Sequence, residues 1–226
     1  MKIIHASYEL MTPIEGKDIL KKIEQIARTC YKSEEKISDG SAERMIVSLI
    51  ANNHEAMLEH QSITVKFIVD RGVSHEIVRH RMASFAQEST RYCNYSQDKF
   101  DGEITVIKPL YLDEGTDGYN YWKDACLVAE NSYFKLLDFG CTPQEARAVL
   151  PTSLKTEICM TANLREWRHF FNLRAAGTTG KPHPQMKEVA VPLLYDMHSK
   201  IPYIFDDIIK KVEFERWMKD LPSLLN

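Results

Sequence analysis

The sequence lacks the glycine-rich and cysteine-rich signatures that usually mark a nucleotide or metal site. It contains no G-x-G-x-x-G and no Walker sequence, so the common nucleotide-binding folds are not indicated. Its five cysteines include no C-x-x-C pair and no Cys/His group with zinc-finger spacing. Scattered, odd-numbered cysteines are typical of free thiols in a reducing compartment. We therefore expect no structural disulfide and no bound metal.

Long apolar runs are also missing. No stretch approaches the roughly 20 apolar residues of a membrane span, and the first residues lack the apolar run of a signal peptide. We expect a cytoplasmic protein that has no membrane partner. The net charge of −3 argues against a broad basic surface for long nucleic acid. A local basic pocket for one anionic metabolite stays open.

Alternating apolar and polar residues predict several strands. Residues 2–9 read as a first strand, and 103–109 and 152–162 as later ones. The clearest alternation is in residues 62–70. Its apolar side consists of Ile63, Val65, Phe67 and Val69.

Capping patterns predict the helices between these strands. Thr12 begins a capping box at residues 12–15, and a second box occupies 142–145. Residues 71–81 are a short helical candidate, and Asn163 caps a later helix. The interleaved elements predict an α+β fold: one domain over residues 1–226, with a modest, mostly antiparallel sheet covered by helices.

The segment "RHRMASFAQESTRY", residues 79–92, has an unusual composition. It holds three arginines, one histidine and two serines, but no lysine, glycine or proline. The planar fork of arginine matches a phosphate or the carbonyl edge of a pyrimidine. A solvated helix end with salt bridges explains the same residues less specifically. Both interpretations stay open at this point.

A second polar set occurs in "NLREWRHFFNLRA", residues 163–175. At helical spacing, Arg165, His169 and Asn172 form one polar stripe, while the aromatic residues face elsewhere. An ordinary amphipathic helix would show the same pattern. The stripe differs from most solvated faces in being rich in directional hydrogen-bonding groups.

Three nucleophile or metal hypotheses find little support. Ser84 and Ser89 lie near His80, but no G-x-S-x-G surrounds them. Cys93 has arginines nearby, yet a small buried thiol is the commoner fate of a free cysteine. The two histidines of "HEAMLEH", residues 54–60, are six apart, which excludes the i, i+4 pair of a zinc protease.

The arginine-rich segment fits the pattern R-H-R-x-x-S-x-x-x-x-S-x-R and resembles the signature of flavin-dependent thymidylate synthases. Three further segments are similar to family segments and occur in the same order: "HEAMLEH", "EARAVLP" and "NLREWRHFFNLRA". Together they extend over most of residues 54–190. The pattern is long and specific.

The resemblance implies a function. The family makes thymidylate (dTMP) from deoxyuridylate (dUMP), with methylenetetrahydrofolate as carbon donor and with FAD reduced by NADPH. The flavin handles the hydride, so no protein cysteine is required as a nucleophile. The family assembles as a homotetramer whose active sites are shared between subunits, which removes the need for a separate dinucleotide domain.

The resemblance also implies roles for individual residues. Flavin would be bound by Ala56 (through its backbone), Arg79, His80, Arg81, Gln87, Asn163, Leu164, Arg165 and His169. The nucleotide would be bound by Glu76, Ile77, Val78, Arg79, Gln87, Glu88, Ser89, Thr90, Arg91, Arg147 and Arg174. Arg147 would come from an adjacent subunit. Arg174, the expected catalytic residue, would favour ionisation of the pyrimidine at N3.

Two other hypotheses remain. A nucleic-acid-binding module would use the arginines on phosphates and would show exposed aromatics and a steep salt dependence. A relative without a cofactor would have kept the nucleotide pocket but lost turnover. The net charge weighs against the first, and the near-complete set of site residues weighs against the second.

Overall fold

The computed structural model describes the backbone of residues 1–224 and the side chains of residues 1–215. It confirms the α+β class. The strands are β1 (Lys2–Ile4), β2 (Ser7–Leu10), β3 (Ser62–Asp70), β4 (Ser84–Gln87), β5 (Thr105–Ile107) and β6 (Lys155–Asn163). The α-helices are α1 (Gly16–Thr29), α2 (Ser41–Ala51), α3 (Arg71–Ile77), α4 (Asp117–Asp138), α5 (Pro143–Ala146), α6 (Leu164–Arg174), α7 (Pro184–Lys200) and α8 (Asp206–Leu224).

The strands form two small sheets. An antiparallel sheet has the order β2-β3-β6-β4, while β1 pairs in parallel with β5, with Lys2 opposite Thr105. The prediction of one strand over residues 2–9 is therefore wrong. The chain breaks after Ile4 because β1 and β2 bond to different partners in different sheets.

The alternation predicted for β3 is confirmed. Its four apolar side chains, Ile63, Val65, Phe67 and Val69, are all 0% exposed. A strand whose alternate residues are apolar buries one face and fixes its register, because a one-residue slip would expose every one of them. This strand needed no long-range information to be recognised.

The two predicted capping boxes have opposite outcomes. At residues 142–145 the box is confirmed, since the Thr142 N–H donates to Glu145 Oε2 at 2.8 Å. At residues 12–15 it is wrong, because α1 begins only after Glu15 and Thr12 Oγ1 accepts from the Thr64 N–H at 2.9 Å. Pairing with the neighbouring strand takes the hydroxyl that a cap would need.

The packing of Cα atoms divides the chain into two compact units. The first unit comprises Met1–Glu9, Lys66–Arg81 and Phe85–Met160, and the second comprises Leu10–Val65, Met82–Ser84 and the chain from Thr161 onward. In the first unit, Tyr95, Val106 and Tyr133 belong to a buried apolar cluster. In the second, Trp167 and Phe171 stack with ring centroids 5.8 Å apart. The prediction of a single domain stays a prediction.

None of the helices in the described residues combines the length and apolar character that crossing a bilayer requires.

The burial of Phe67 gives a test of the core. Replacing Phe67, which is 0% exposed, by alanine should lower the free energy of unfolding by about 3–5 kcal/mol through lost burial and a new cavity. The matched control is Phe139→Ala, because Phe139 is 88% exposed and its loss should cost less than about 0.5 kcal/mol. Urea unfolding followed by circular dichroism measures both. Equal losses would contradict the placement of Phe67 in the core.

Candidate active site

The first residues of the arginine-rich segment, 79–81, lie in a turn of the first unit, just after α3. The predicted helix over residues 71–81 is wrong at its end, because α3 stops at Ile77 and Asp70 caps its start by accepting from the Val73 N–H at 2.7 Å. His80 is 3% exposed, whereas Arg79 and Arg81 on either side are exposed. The turn therefore presents two guanidinium groups around a buried imidazole.

The neighbouring nucleotide-binding candidates differ in what they can offer to a ligand. Ile77 is 0% exposed and could contribute only through its backbone. Glu76 is partly buried, and Val78 is 38% exposed. His80 lies beyond the end of α3, so it does not share a helix face with Glu76.

Gln87 ends β4 and is held by the first unit itself. Its Nε2 donates to Ser74 Oγ at 2.9 Å and to Thr156 Oγ1 at 3.2 Å. Both hydroxyl residues are 0% exposed. The side chain of a predicted ligand residue is thus fixed before any ligand arrives.

Glu88 holds the chain after β4 in place through four hydrogen bonds in the same unit. Its carboxylate accepts from Lys155 Nζ at 3.0 Å, from the Tyr95 hydroxyl at 3.2 Å and from the Glu157 N–H at 3.3 Å. Its backbone oxygen accepts from Arg71 Nη1 at 3.2 Å. These bonds attach the segment after β4 to β6 and leave less of the carboxylate for a nucleotide.

Lys155 and Glu157 stabilise each other in their charged forms. Burial would lower the pKa of Lys155, but Glu157 and Glu88 outweigh burial and raise it. Hydrogen bonding to Lys155 holds the pKa of Glu157 below its ordinary value. Burial, aided by Glu88, raises the pKa of Tyr95 and that of the Cys93 thiol. A raised pKa favours the neutral thiol of Cys93 over the thiolate, which is the nucleophilic form.

The turn after Glu88 brings together residues that are distant in sequence. Thr90, 6% exposed, accepts from Arg147 Nη1 at 3.3 Å through its Oγ1. The Ser89 hydroxyl accepts from the Arg91 N–H at 3.3 Å. The Arg91 side chain is exposed, with its guanidinium carbon 5.4 Å from the centre of the Tyr92 ring. An arginine that remains accessible beside a rigid turn is suited to an anionic ligand.

The second unit holds the other flavin-binding candidates, and four of them lie on α6 or at its N-terminus. Asn163 caps this helix by accepting from the Glu166 N–H at 2.9 Å, as predicted. Leu164 is fully buried, and its N–H donates to the Gln61 carbonyl at 2.9 Å. Arg165 and His169 are exposed on the same side of the helix.

A cavity of about 420 Å³ lies beside the start of α6 within the second unit. Six of its lining residues are Glu55, Glu59, Asn163, Arg165, Glu166 and His169. Three predicted flavin-binding residues are therefore brought to one cavity. The three glutamates were not predicted, and only the helical spacing of Glu166 from Asn163 hinted at its position.

The carboxylates of this cavity are in different states. Glu59 Oε1 lies 2.5 Å from Arg165 Nη1, and both side chains are about half exposed. Glu166 is 8% exposed, and burial raises its pKa although His169 opposes the shift. The positive charge of Arg165 is thus partly neutralised by Glu59 of the same chain.

Arg168 was missed by the sequence reasoning, although it organises this unit. It is 4% exposed and binds Asp207 with two bonds of 2.8 and 3.0 Å, Glu55 at 3.0 Å, and the carbonyl oxygen of Ile204. Burial would lower its pKa, but Asp207 and Glu55 outweigh burial and raise it. The sequence held one hint of this role: Arg168 lies four residues after Leu164 and therefore on the apolar side of α6.

Three predicted site residues of the second unit are not part of the cavity lining: Leu164, which is fully buried, Ala56 and Arg174. Ala56 is exposed in the 3₁₀ turn Glu55–His60. Arg174 is the last residue of α6 and is partly buried. Because α6 has 11 residues, Arg174 lies roughly 15 Å along the helix from Asn163. The two ends of α6 would thus meet different parts of a ligand.

Comparison with known proteins matches most of the chain to one family. Residues 14–203 match the family model described as thymidylate synthase complementing protein. The chain belongs to this family. The match extends well beyond residues 54–190, where the sequence resemblance was recognised, and confirms that resemblance.

Curated relatives carry the name flavin-dependent thymidylate synthase. The one from Pyrococcus furiosus is 32% identical over 74% of this chain and 66% of its own length. The one from Geobacter sulfurreducens is 31% identical over 80% of this chain and 78% of its own length. The chain thus spans about two thirds of the length of the Pyrococcus relative.

A solved structure shows the same fold. It is a UMP/dUMP methylase, PolB, from Streptomyces cacaoi, bound with 5-Br dUMP. The superposition has a TM-score of 0.74 at 24% identity and covers 90% of this chain and 95% of that one. At this identity the likeness establishes the fold alone.

The role of Arg168 can be tested on α6 itself. Arg168→Met should lower the free energy of unfolding by about 3 kcal/mol, because it leaves buried acceptors without their cation. Arg165→Met, three residues earlier, should cost less than about 1 kcal/mol, since its ion pair is half exposed. Urea unfolding compares them. A loss from Arg165→Met as large as that from Arg168→Met would refute the assignment.

Proposed function

We propose that the chain catalyses the reductive methylation of dUMP to dTMP, using methylenetetrahydrofolate as carbon donor and FAD reduced by NADPH. The match of residues 14–203 to the family carries this proposal. The names of the curated relatives and the dUMP analogue bound in the fold neighbour support it. The cavity beside α6 also supports it, because its lining includes three of the residues that the resemblance assigned to flavin.

The residues of the second unit fit an FAD molecule. Asn163 stands at the N-terminus of an 11-residue helix, where the helix dipole favours a phosphate. Arg165 adds a guanidinium fork and His169 an imidazole on the same exposed side. The Glu59–Arg165 pair is exposed enough to open at small cost, so Arg165 can exchange the carboxylate for a phosphate.

The residues of the first unit fit a nucleotide monophosphate and the flavin ring. Arg79 and Arg81 are exposed beside a buried His80 and would hold flavin. Arg91 is exposed next to the ordered turn of Ser89 and Thr90 and would meet the nucleotide. In a homotetramer, Arg147 would reach the nucleotide of an adjacent subunit.

When bound, FAD would supply the hydride chemistry that no side chain can provide. Arg174 would place a fixed positive charge beside the pyrimidine and stabilise negative charge that develops at N3. Cys93 would take no covalent part, because burial and Glu88 raise the pKa of its thiol. The chain's own contribution is therefore position and charge.

The direct test is product formation. The purified protein, incubated with dUMP, methylenetetrahydrofolate, FAD and NADPH, should form dTMP, and omission of FAD should abolish it. Chromatography of the nucleotides measures the product. Failure to form dTMP with a chemically reduced flavin would refute the proposal, while success only with a donor other than NADPH would correct the donor.

A variant of Arg174 tests its role. Arg174→Ala should still bind flavin but should lower the rate of dTMP formation by about 10²-fold or more, because the charge beside the pyrimidine is lost. Arg174→Lys, which keeps a positive charge without the planar fork, should retain more activity. Flavin absorbance and the dTMP assay separate binding from turnover. Unchanged dTMP formation in Arg174→Ala would remove Arg174 from the mechanism.

Assembly provides another test. We expect a homotetramer in sedimentation, because the active sites would be shared between subunits. Mixing two inactive variants, Arg147→Ala and Arg174→Ala, should restore part of the dTMP formation, since mixed tetramers contain some complete sites. A fully active monomer would contradict shared sites.

A further inference from the structure

A ring of hydrogen bonds surrounds the side-chain amide of Gln87 in the first unit. Gln87 Nε2 donates to Ser74 Oγ at 2.9 Å and to Thr156 Oγ1 at 3.2 Å. Arg71 closes the ring from both sides: its Nη1 donates to Thr156 Oγ1 at 3.2 Å, and its carbonyl oxygen accepts from Ser74 Oγ at 2.9 Å. Ser74 and Thr156 are both 0% exposed.

The hydrogen-bond ring favours one orientation of the Gln87 amide. A side-chain amide nitrogen has two hydrogens, and here both have an acceptor. The single hydrogen of Ser74 is directed to the Arg71 carbonyl, so Ser74 Oγ can only accept from Gln87. If the amide flipped, its oxygen would face Ser74 Oγ with no hydrogen between them, and only Thr156 could donate. The orientation with nitrogen inward therefore satisfies one more contact.

The carbonyl oxygen of Gln87 is the atom left for a ligand. Among the residues whose side chains the structure describes, none donates to Gln87 Oε1. The oxygen is also not among the buried atoms that lack a partner, so it is open to solvent or ligand. Gln87 thus presents its carbonyl oxygen to a ligand as an acceptor, while its N–H donors are already bonded to Ser74 and Thr156.

We infer that Ser74 and Thr156 are positioning residues that present Gln87 Oε1 as a hydrogen-bond acceptor, so that the ligand group meeting Gln87 carries an N–H or O–H donor. This inference rests on the proposed function, in which Gln87 lies between flavin and nucleotide. Both ligands carry such donors, either ring N–H groups or sugar hydroxyls. Separate affinities for FAD and dUMP distinguish the two sources.

Two substitutions of Thr156 separate positioning from packing. Thr156→Val keeps the volume but removes the hydroxyl, and it should weaken the affinity for FAD or dUMP about tenfold. Thr156→Ser keeps the hydroxyl and should bind within about twofold of the native protein. A role in packing alone predicts the reverse order, because valine fills the buried site and serine does not. That reverse order in calorimetric titrations would overturn the inference.

Two substitutions of Gln87 test whether the ligand needs the acceptor oxygen of its side chain. Gln87→Glu keeps an acceptor oxygen outward, because both terminal atoms of a carboxylate are oxygens. Gln87→Met has a similar length and no acceptor of comparable strength. The glutamate variant should bind the ligands more tightly than the methionine variant. Native affinity of Gln87→Met for both FAD and dUMP would refute the need for an acceptor.

A measurement without ligands separates this inference from the proposed function. In protein labelled with ¹⁵N at glutamine side chains, the Gln87 amide hydrogens should exchange slowly with solvent in the native protein and in Thr156→Ser, and rapidly in Thr156→Val. Rapid exchange in the native protein would overturn the positioning role whatever the activity. Slow exchange together with absent dTMP formation would refute the proposed function and leave the positioning intact.

Discussion

The packing of α6 onto an aromatic core decides where the flavin-binding candidates of the second unit point. Trp167 and Phe171 are fully buried on one side of the helix, and the Trp167 indole N–H donates to the Ile63 carbonyl at 3.1 Å. Since this side is fixed, Arg165 and His169 are necessarily displayed on the other side. Arg168 locks the same rotation by binding groups outside the helix. A rotation of α6 would bury the polar side chains of Arg165 and His169 and expose the aromatic rings, and both changes are unfavourable.

In the first unit, several buried polar side chains form hydrogen bonds and ion pairs with one another. Lys155 is paired with Glu88, and the Gln87 amide with two buried hydroxyls. An unpaired buried polar group would destabilise the unit, so these pairs keep the segment after β4 in one conformation. Arg91, which is exposed in the same segment, then remains available to anions. Rigid neighbours around accessible cations are the arrangement expected of a preorganised site.

The sequence predicted the features that depend on local interactions, and it missed those that depend on contacts between residues distant in the chain. The alternation of β3 was enough because its burial pattern is local, and the cap at Asn163 was enough because its acceptor and donor are three residues apart. The box at residues 12–15 failed because Thr12 is bonded to Thr64, 52 positions away. The partners of Gln87 and Arg168 could not be predicted either, since strand and helix packing alone bring them together. The long arginine motif predicted the family because it is specific as a pattern of residues, without any knowledge of their contacts.

The most direct test of the central claim is an absorption spectrum of the purified protein, recorded before and after addition of FAD and then of dUMP. If one pocket holds both ligands, the visible flavin bands should appear on the protein with FAD and should shift when dUMP is added. A protein that takes up no FAD, or whose flavin spectrum is unchanged by saturating dUMP, would contradict a flavin-driven methylation at this site.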